Sequence, residues 1–159
     1  MSNKDVCIVL DNIRYKNNIG PILRVAYAFE IKKVFICRRN KEELKPDQLL
    51  ILRKISRGAS DFVNWELKQD SIELVKSLKE KGLYIVSVDI RSSLLLSQSE
   101  VRFQYPLALV FGHEGHGVDP EIIKLSDMII KIPMIGEGNS INVGSSVAIV
   151  AYKIRELED

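Results

Sequence analysis

Five short stretches, Val6 to Leu10, Lys33 to Cys37, Tyr84 to Val88, Leu107 to Phe111 and Met128 to Ile132, are dense in Val, Ile, Leu and Phe. None alternates cleanly between apolar and polar positions, as a strand with one wet face would. Strands covered on both faces have this pattern, so it predicts an α/β fold: a mostly parallel sheet with helices on both faces. Phe62 to Leu67 is a candidate for a short additional strand.

Between the strands lie segments of helical period with legible ends. Gly20 followed by Pro21 places proline at a first helical position, and Ile22, Val25, Ala26 and Phe29 form a stripe that would pack on the sheet, leaving Arg24 off it. Asp70 with Glu73 resembles a capping box; Ile72, Val75 and Leu78 supply the buried face, and Gly82 ends that helix. Asp119 and Pro120 open a short helix. The last helix is expected from about Asn142 to Glu158, with Val143, Val147, Val150, Ala151, Ile154 and Leu157 facing the core.

With 159 residues, 46% hydrophobic, and neither a linker nor an internal repeat, the chain is expected to be a single domain over 1–159. No apolar run exceeds six residues, and no leader pattern opens the chain, which favours a soluble cytoplasmic protein. Cys7 and Cys37 sit inside apolar runs, as reduced core cysteines do. The formal charge of +2 conceals a division: residues 1–60 hold 13 Lys and Arg against 6 Asp and Glu, and the remainder hold 10 against 15. Net charges of +7 and −5 make the first part a candidate nucleic-acid surface, although basic residues also solvate helices.

Three loops following strand-like runs carry the candidate chemistry, because ligands of parallel sheets bind where the carboxyl ends of strands meet such loops. The first holds Asn17, Asn18 and Gly20 ahead of Arg24. The second is Gly112-His113-Glu114-Gly115-His116-Gly117, whose glycines let backbone approach a ligand. It is neither a dinucleotide fingerprint nor a P-loop. Three glycines also argue against a helix presenting His113 and His116 together, so no metal site is assigned. Glu114 is either a solvated or helix-capping carboxylate, or one held at a pocket mouth to orient a partner or accept a proton. The third loop runs from Ile132 to Asn142; Ser140 is its candidate helix cap, and a capped helix start can also receive a polar ligand.

Together the three loops resemble the signature motifs of the SPOUT superfamily, in its TrmH-like (SpoU) branch of S-adenosylmethionine-dependent RNA ribose 2′-O-methyltransferases. The matching segments are Asn18-Ile19-Gly20 with Arg24 and Ala26-Tyr27-Ala28-Phe29, Leu109 through Gly117, and Ile132-Pro133-Met134 with Ser140-Ile141-Asn142-Val143. The resemblance spans about residues 6–155. It departs from the usual pattern at His113, where Asn is frequent, at Gly144, where Ser is common, and at Glu30.

This resemblance implies a C-terminal trefoil knot, an exception to the rule that chains do not knot, and a homodimer. It implies catalytic and RNA-orienting roles for Asn18, Arg24, Glu114, Ser140 and Asn142. Methyl-donor contacts map onto Gly112, Ile132 and Ile141, with Asp89 as a further candidate. Arg24 would hold a phosphate and stabilise the developing alkoxide, and the proton would leave to Glu114, water or a transiently neutral Arg24. The basic half supplies Arg14, Lys16, Arg38, Arg39, Lys41, Arg53, Lys54 and Arg57 as candidate RNA contacts. Transfer RNA is the expected substrate, since no appended RNA-binding domain of the kind some ribosomal-RNA methylases carry is recognisable. The alternatives are ribosomal RNA, methylation of a base, a non-catalytic RNA-binding module, and a nucleotide-binding enzyme of small metabolites.

Overall fold

The computed structural model describes residues 5–13, 16–38, 46–138 and 140–156. Its elements in chain order are β1 (Val6–Asp11), α1 (Lys16–Ala28), β2 (Lys33–Cys37), α2 (Pro46–Ile55), β3 (Trp65–Lys68), α3 (Ser71–Glu80), β4 (Tyr84–Val88), β5 (Leu107–Phe111), α4 (Pro120–Leu125), β6 (Met128–Ile130) and α5 (Val143–Glu156). The strands form one sheet in the order β3-β2-β1-β5-β4-β6, and every pairing between them is parallel. From β1 the chain winds outward through β2 and β3, then returns to build the other half, so direction reverses between β1 and β5.

Both faces of the sheet are buried, which is why its strands lack alternation. Successive side chains point to opposite faces: Ile8 and Leu10 join Ile22, Leu23, Leu109, Val147 and Ile154 in one cluster, whereas Cys7 and Val9 join Val75, Leu78, Val110 and Ile122 in the other. Helices α1, α2 and α5 associate on the first face, and α3 and α4 on the second. Cys7 and Cys37 are free, buried thiols. Burial pushes each up to about 12, with Asp11 and Asp70 adding to the effect at Cys37, so both behave as inert core residues.

Several element boundaries differ from the sequence expectation. Helix α1 begins at Lys16, so Pro21 lies inside it. The polar start is held in the helix by packing: Ile19 is buried, and Gly20 sits so close to α2 that a Cβ there would fall 2.5 Å from Ile55 Cγ1. Helix α2 was not expected, because Leu49, Leu50 and Ile51 are exposed and only Leu52 of that helix is buried. Strand β3 starts three residues later than proposed, with Phe62 left 74% exposed. Strand β6 stops at Ile130, although Lys131 still bridges to Leu95. At α3, Asp70 accepts bonds from the Ile72 and Glu73 amides, as a cap should, but Glu73 pairs with Lys76 rather than reaching back.

Asp11, at the carboxyl end of β1, is 2% exposed and fully engaged. Its Oδ1 accepts from Ser71 Oγ at 2.6 Å and Asn12 Nδ2 at 2.9 Å, and its Oδ2 accepts from the Asp119 amide at 2.8 Å. One buried carboxylate thus ties β1 to the starts of α3 and α4. Replacing it removes the acceptor of the buried Ser71 hydroxyl and of the Asp119 amide, so Asp11→Ala should cost about 2–4 kcal/mol. Urea unfolding checks this; an unchanged midpoint contradicts the assignment.

Candidate active site

Since all strands run the same way, the loops after β1, β4, β5 and β6 leave from one edge of the sheet. Residues 88–91, 111–117 and parts of 132–146 enclose a cavity of about 280 Å³ there. Its wall combines apolar side chains, including Ile90, Ile132, Met134 and Ile141, with the glycine-rich 112–117 backbone. That volume lies near the lower end of the range for small-molecule sites, roughly 300–1,000 Å³.

The 112–117 loop is a tight hairpin. His113 and Gly117 exchange backbone hydrogen bonds of 3.1 and 2.8 Å, and the His113 ring accepts the Gly115 amide at Nδ1. A Cβ on Gly112 would lie 2.1 Å from the Gly117 carbonyl carbon. Gly117 has φ +72°, and a Cβ there would meet Asp89 Oδ2 at 2.5 Å. Both end glycines are therefore required by close approach. His113 and His116 stack with centroids 4.9 Å apart, and no group of three or more potential metal ligands forms among the described residues.

Three distant parts of the chain meet beside this hairpin. Asn18 Nδ2 donates to Glu114 Oε1 at 2.7 Å, and Asn142 Nδ2 donates to Asn18 Oδ1 at 2.9 Å. Asn142 Oδ1 in turn accepts the Gly144 amide at 2.8 Å. Asn142, not Ser140, therefore caps α5; Ser140 lies exposed on the cavity wall. Glu114 does not cap α4 either, because Asp119 does so by accepting the Glu121 amide.

The four expected methyl-donor positions, Asp89, Gly112, Ile132 and Ile141, all line the cavity. The Asp89 carboxylate is nevertheless committed to the protein. Oδ1 accepts from the Arg91 amide and Nε, and Oδ2 from Arg91 Nη2 and the Val118 amide, at 2.7–3.0 Å. Burial alone would raise this carboxyl, but these bonds outweigh burial and hold it below the usual carboxylate range. Arg91 is the charged cavity residue that sequence reasoning passed over; its only trace was an Asp-x-Arg triplet after a strand.

Arg24 is not part of this cavity wall. It is exposed on α1, six residues beyond Asn18, which places it about 9 Å along the helix and on a different face. Of the expected RNA contacts, Arg14, Arg39 and Lys41 lie outside the described residues, and Lys16 opens α1. Arg38 follows β2, Lys54 and Arg57 are exposed on and after α2, and Arg53 pairs with Asp61 at 2.8 Å. None of these described residues lines the cavity.

The sequence model of the SpoU rRNA methylase family matches residues 5–152. The chain belongs to that family. It is 28% identical over 150 residues to a tRNA (guanosine(18)-2′-O)-methyltransferase of Aquifex aeolicus, covering 94% of this chain and 68% of that protein. It spans 57–62% of other curated relatives. A solved structure concerned with 2-OH methylation of C/U34 on tRNA superposes with a TM-score of 0.80 at 23% identity, covering 99% of both chains. The SpoU methyltransferase AviRb of Streptomyces viridochromogenes, solved in complex with AdoMet, gives a TM-score of 0.85 at 18% identity, covering 99% of this chain and 62% of that one. At such identities the structural likeness establishes the fold, the six-stranded parallel sheet with its helices. Among the described residues no helix is long and apolar enough to cross a membrane.

A carboxyl held below its ordinary value ionises more readily in the folded protein than in the unfolded one. The stability contributed by Asp89 is therefore complete above the ordinary aspartate value, about 4, and is lost as pH falls through the lowered value. Urea unfolding between pH 6 and pH 3 should show a shallower acid decline for Asp89→Asn than for wild type; parallel declines contradict the clamp.

Proposed function

We propose that this SpoU-family chain transfers a methyl group from S-adenosylmethionine to a ribose 2′-hydroxyl of RNA, with transfer RNA as the substrate. The observation that carries this reading is the convergence of Asn18, Glu114 and Asn142, one from each motif, beside a glycine-walled cavity. The donor's sulfonium supplies the methyl group. An apolar wall with backbone amides and carbonyls at Gly112, Ile132 and Ile141 suits an adenosine, which needs flat apolar contact and a few polar partners.

In this reading, Asn18, Ser140 and Asn142 align the ribose, and positioning provides most of the rate. Glu114, on the cavity wall, accepts the hydroxyl proton as the new C–O bond forms. Arg24 stays protonated, holds the adjacent phosphate and stabilises negative charge on oxygen. Arg38, Lys54 and Arg57 extend the basic surface along the RNA backbone.

The separation of Arg24 from Asn18 supports a homodimer in which Arg24 of one protomer serves the cavity of its partner. Exposed Tyr27, Ile149 and Tyr152 on the packed α1 and α5 helices fit burial against a second copy. A trefoil knot is part of the same proposal, with the chain that leaves β6 at Lys131 passing beneath residues 89–106. Hydrogen bonds of 2.8 Å from the Leu96 amide to the Lys131 carbonyl, and from the Lys131 amide to the Leu94 carbonyl, support that path. Reduced buried cysteines suit a single cytoplasmic domain.

Separate tRNA and rRNA pools incubated with labelled donor, followed by mass spectrometry of nucleosides, test the reading. Label is expected on ribose in tRNA; label on a base, or none, refutes it. Arg24→Ala should bind donor normally yet methylate at least 100-fold more slowly. Mixing it with Asn142→Ala should restore activity if the sites are shared between protomers.

A further inference from the structure

Among the described residues the cavity wall contains one Arg and no Lys, and that arginine is held at three of its N–H groups. Asp89, whose side chain is 1% exposed, holds the Arg91 Nε and Nη2 at 2.7 Å each, and Nη2 also donates to the Val118 carbonyl at 2.6 Å. Three of five guanidinium N–H groups are thereby used. The two on Nη1 have no partner among the described residues, while the side chain as a whole is 49% exposed and lines the cavity. A guanidinium held in place before a ligand arrives loses little freedom on binding, and each free N–H of Nη1 can donate a charge-assisted bond to an oxyanion.

We infer that Arg91 binds the α-carboxylate of the methyl donor through the free N–H groups of its Nη1. The inference rests on the methyl-donor reading above and deepens it by assigning the amino-acid end of that molecule. S-adenosylmethionine carries positive charge on sulfur and on its amino group, and its carboxylate is its sole anionic group. Arg91 repels the first two and attracts the third, so it fixes which way round the donor lies. Of the two carboxylates on the wall, Asp89 is taken up by Arg91 itself, and Glu114 belongs to a different loop and is tied to Asn18. Asp89 then acts as a positioning residue: its carboxylate does not meet the donor but aims the group that does.

Calorimetry with wild type and Arg91→Gln, using S-adenosylmethionine and its decarboxylated analogue, decides the point. Wild type should bind the intact donor about 10- to 100-fold more tightly than the analogue, the range for a charge-assisted pair. Arg91→Gln should bind both alike, at the analogue's affinity. Equal affinities in wild type overturn the inference and leave the methyl-donor reading standing; binding of neither ligand overturns both. An equal loss for both ligands in the variant overturns it too, since that marks a structural effect through Asp89. So does unchanged donor binding with weakened, salt-sensitive RNA binding, which assigns Arg91 to a phosphate. If the variant fails to fold, the wild-type comparison still decides.

Discussion

The carboxyl edge of the sheet depends on a chain of three hydrogen bonds, and the chemistry of its members fixes its direction. A carboxylate only accepts, so Asn18 must turn its amide nitrogen toward Glu114 and its oxygen toward Asn142. Asn142 must then donate with its nitrogen, which leaves its oxygen to receive the Gly144 amide at the start of α5. A negative charge on the second loop is thus connected, through two side-chain amides, to the amide-rich start of a helix. No residue in the chain tolerates a simple exchange: Asp at position 18 would face Glu114 with a second acceptor, and Ala would disconnect all three loops.

Two buried carboxylates hold the rest of the site against this chain. Asp89 accepts the Val118 amide and Asp11 the Asp119 amide, so consecutive backbone groups are gripped from the end of β1 and from just past the end of β4, where the hairpin leaves the cavity. This explains the positive φ and missing side chain at Gly117, which would otherwise collide with Asp89. It also explains why Asp89 lines the cavity without being available to a ligand. The division of charge along the sequence has a spatial counterpart: the cavity lining comes from residues 88–146, and the described basic residues of the first 60 lie outside it.

The strands and their two-sided burial were legible because a parallel sheet leaves a local trace, the loss of alternation in runs such as Leu107 to Phe111. The cap at Asp70 and the stop at Gly82 were legible for the same reason, as short-range chemistry. The start of α1 was not, since Asn17 and Asn18 read as loop residues until Ile19 and Gly20 are seen packed against the core and α2. Asn142 shows the limit most clearly. Ser140 was the reasonable cap by residue type, but Asn142 caps the helix with one end of its amide while bonding Asn18 with the other, a double duty that only the fold reveals. Arg91 escaped notice because its importance comes from Asp89 being buried. The distance between Arg24 and Asn18 is likewise a property of helix geometry rather than of motif spacing.

The central claim is that Glu114, Asn18 and Asn142 act as one unit that holds the ribose hydroxyl beside the donor site. A double-mutant cycle on Asn18→Ala and Glu114→Ala, read as the rate of methyl transfer to RNA at saturating S-adenosylmethionine, tests it directly. The account predicts strong coupling, with each single substitution slowing transfer nearly as much as the pair. Two effects that simply add would contradict it.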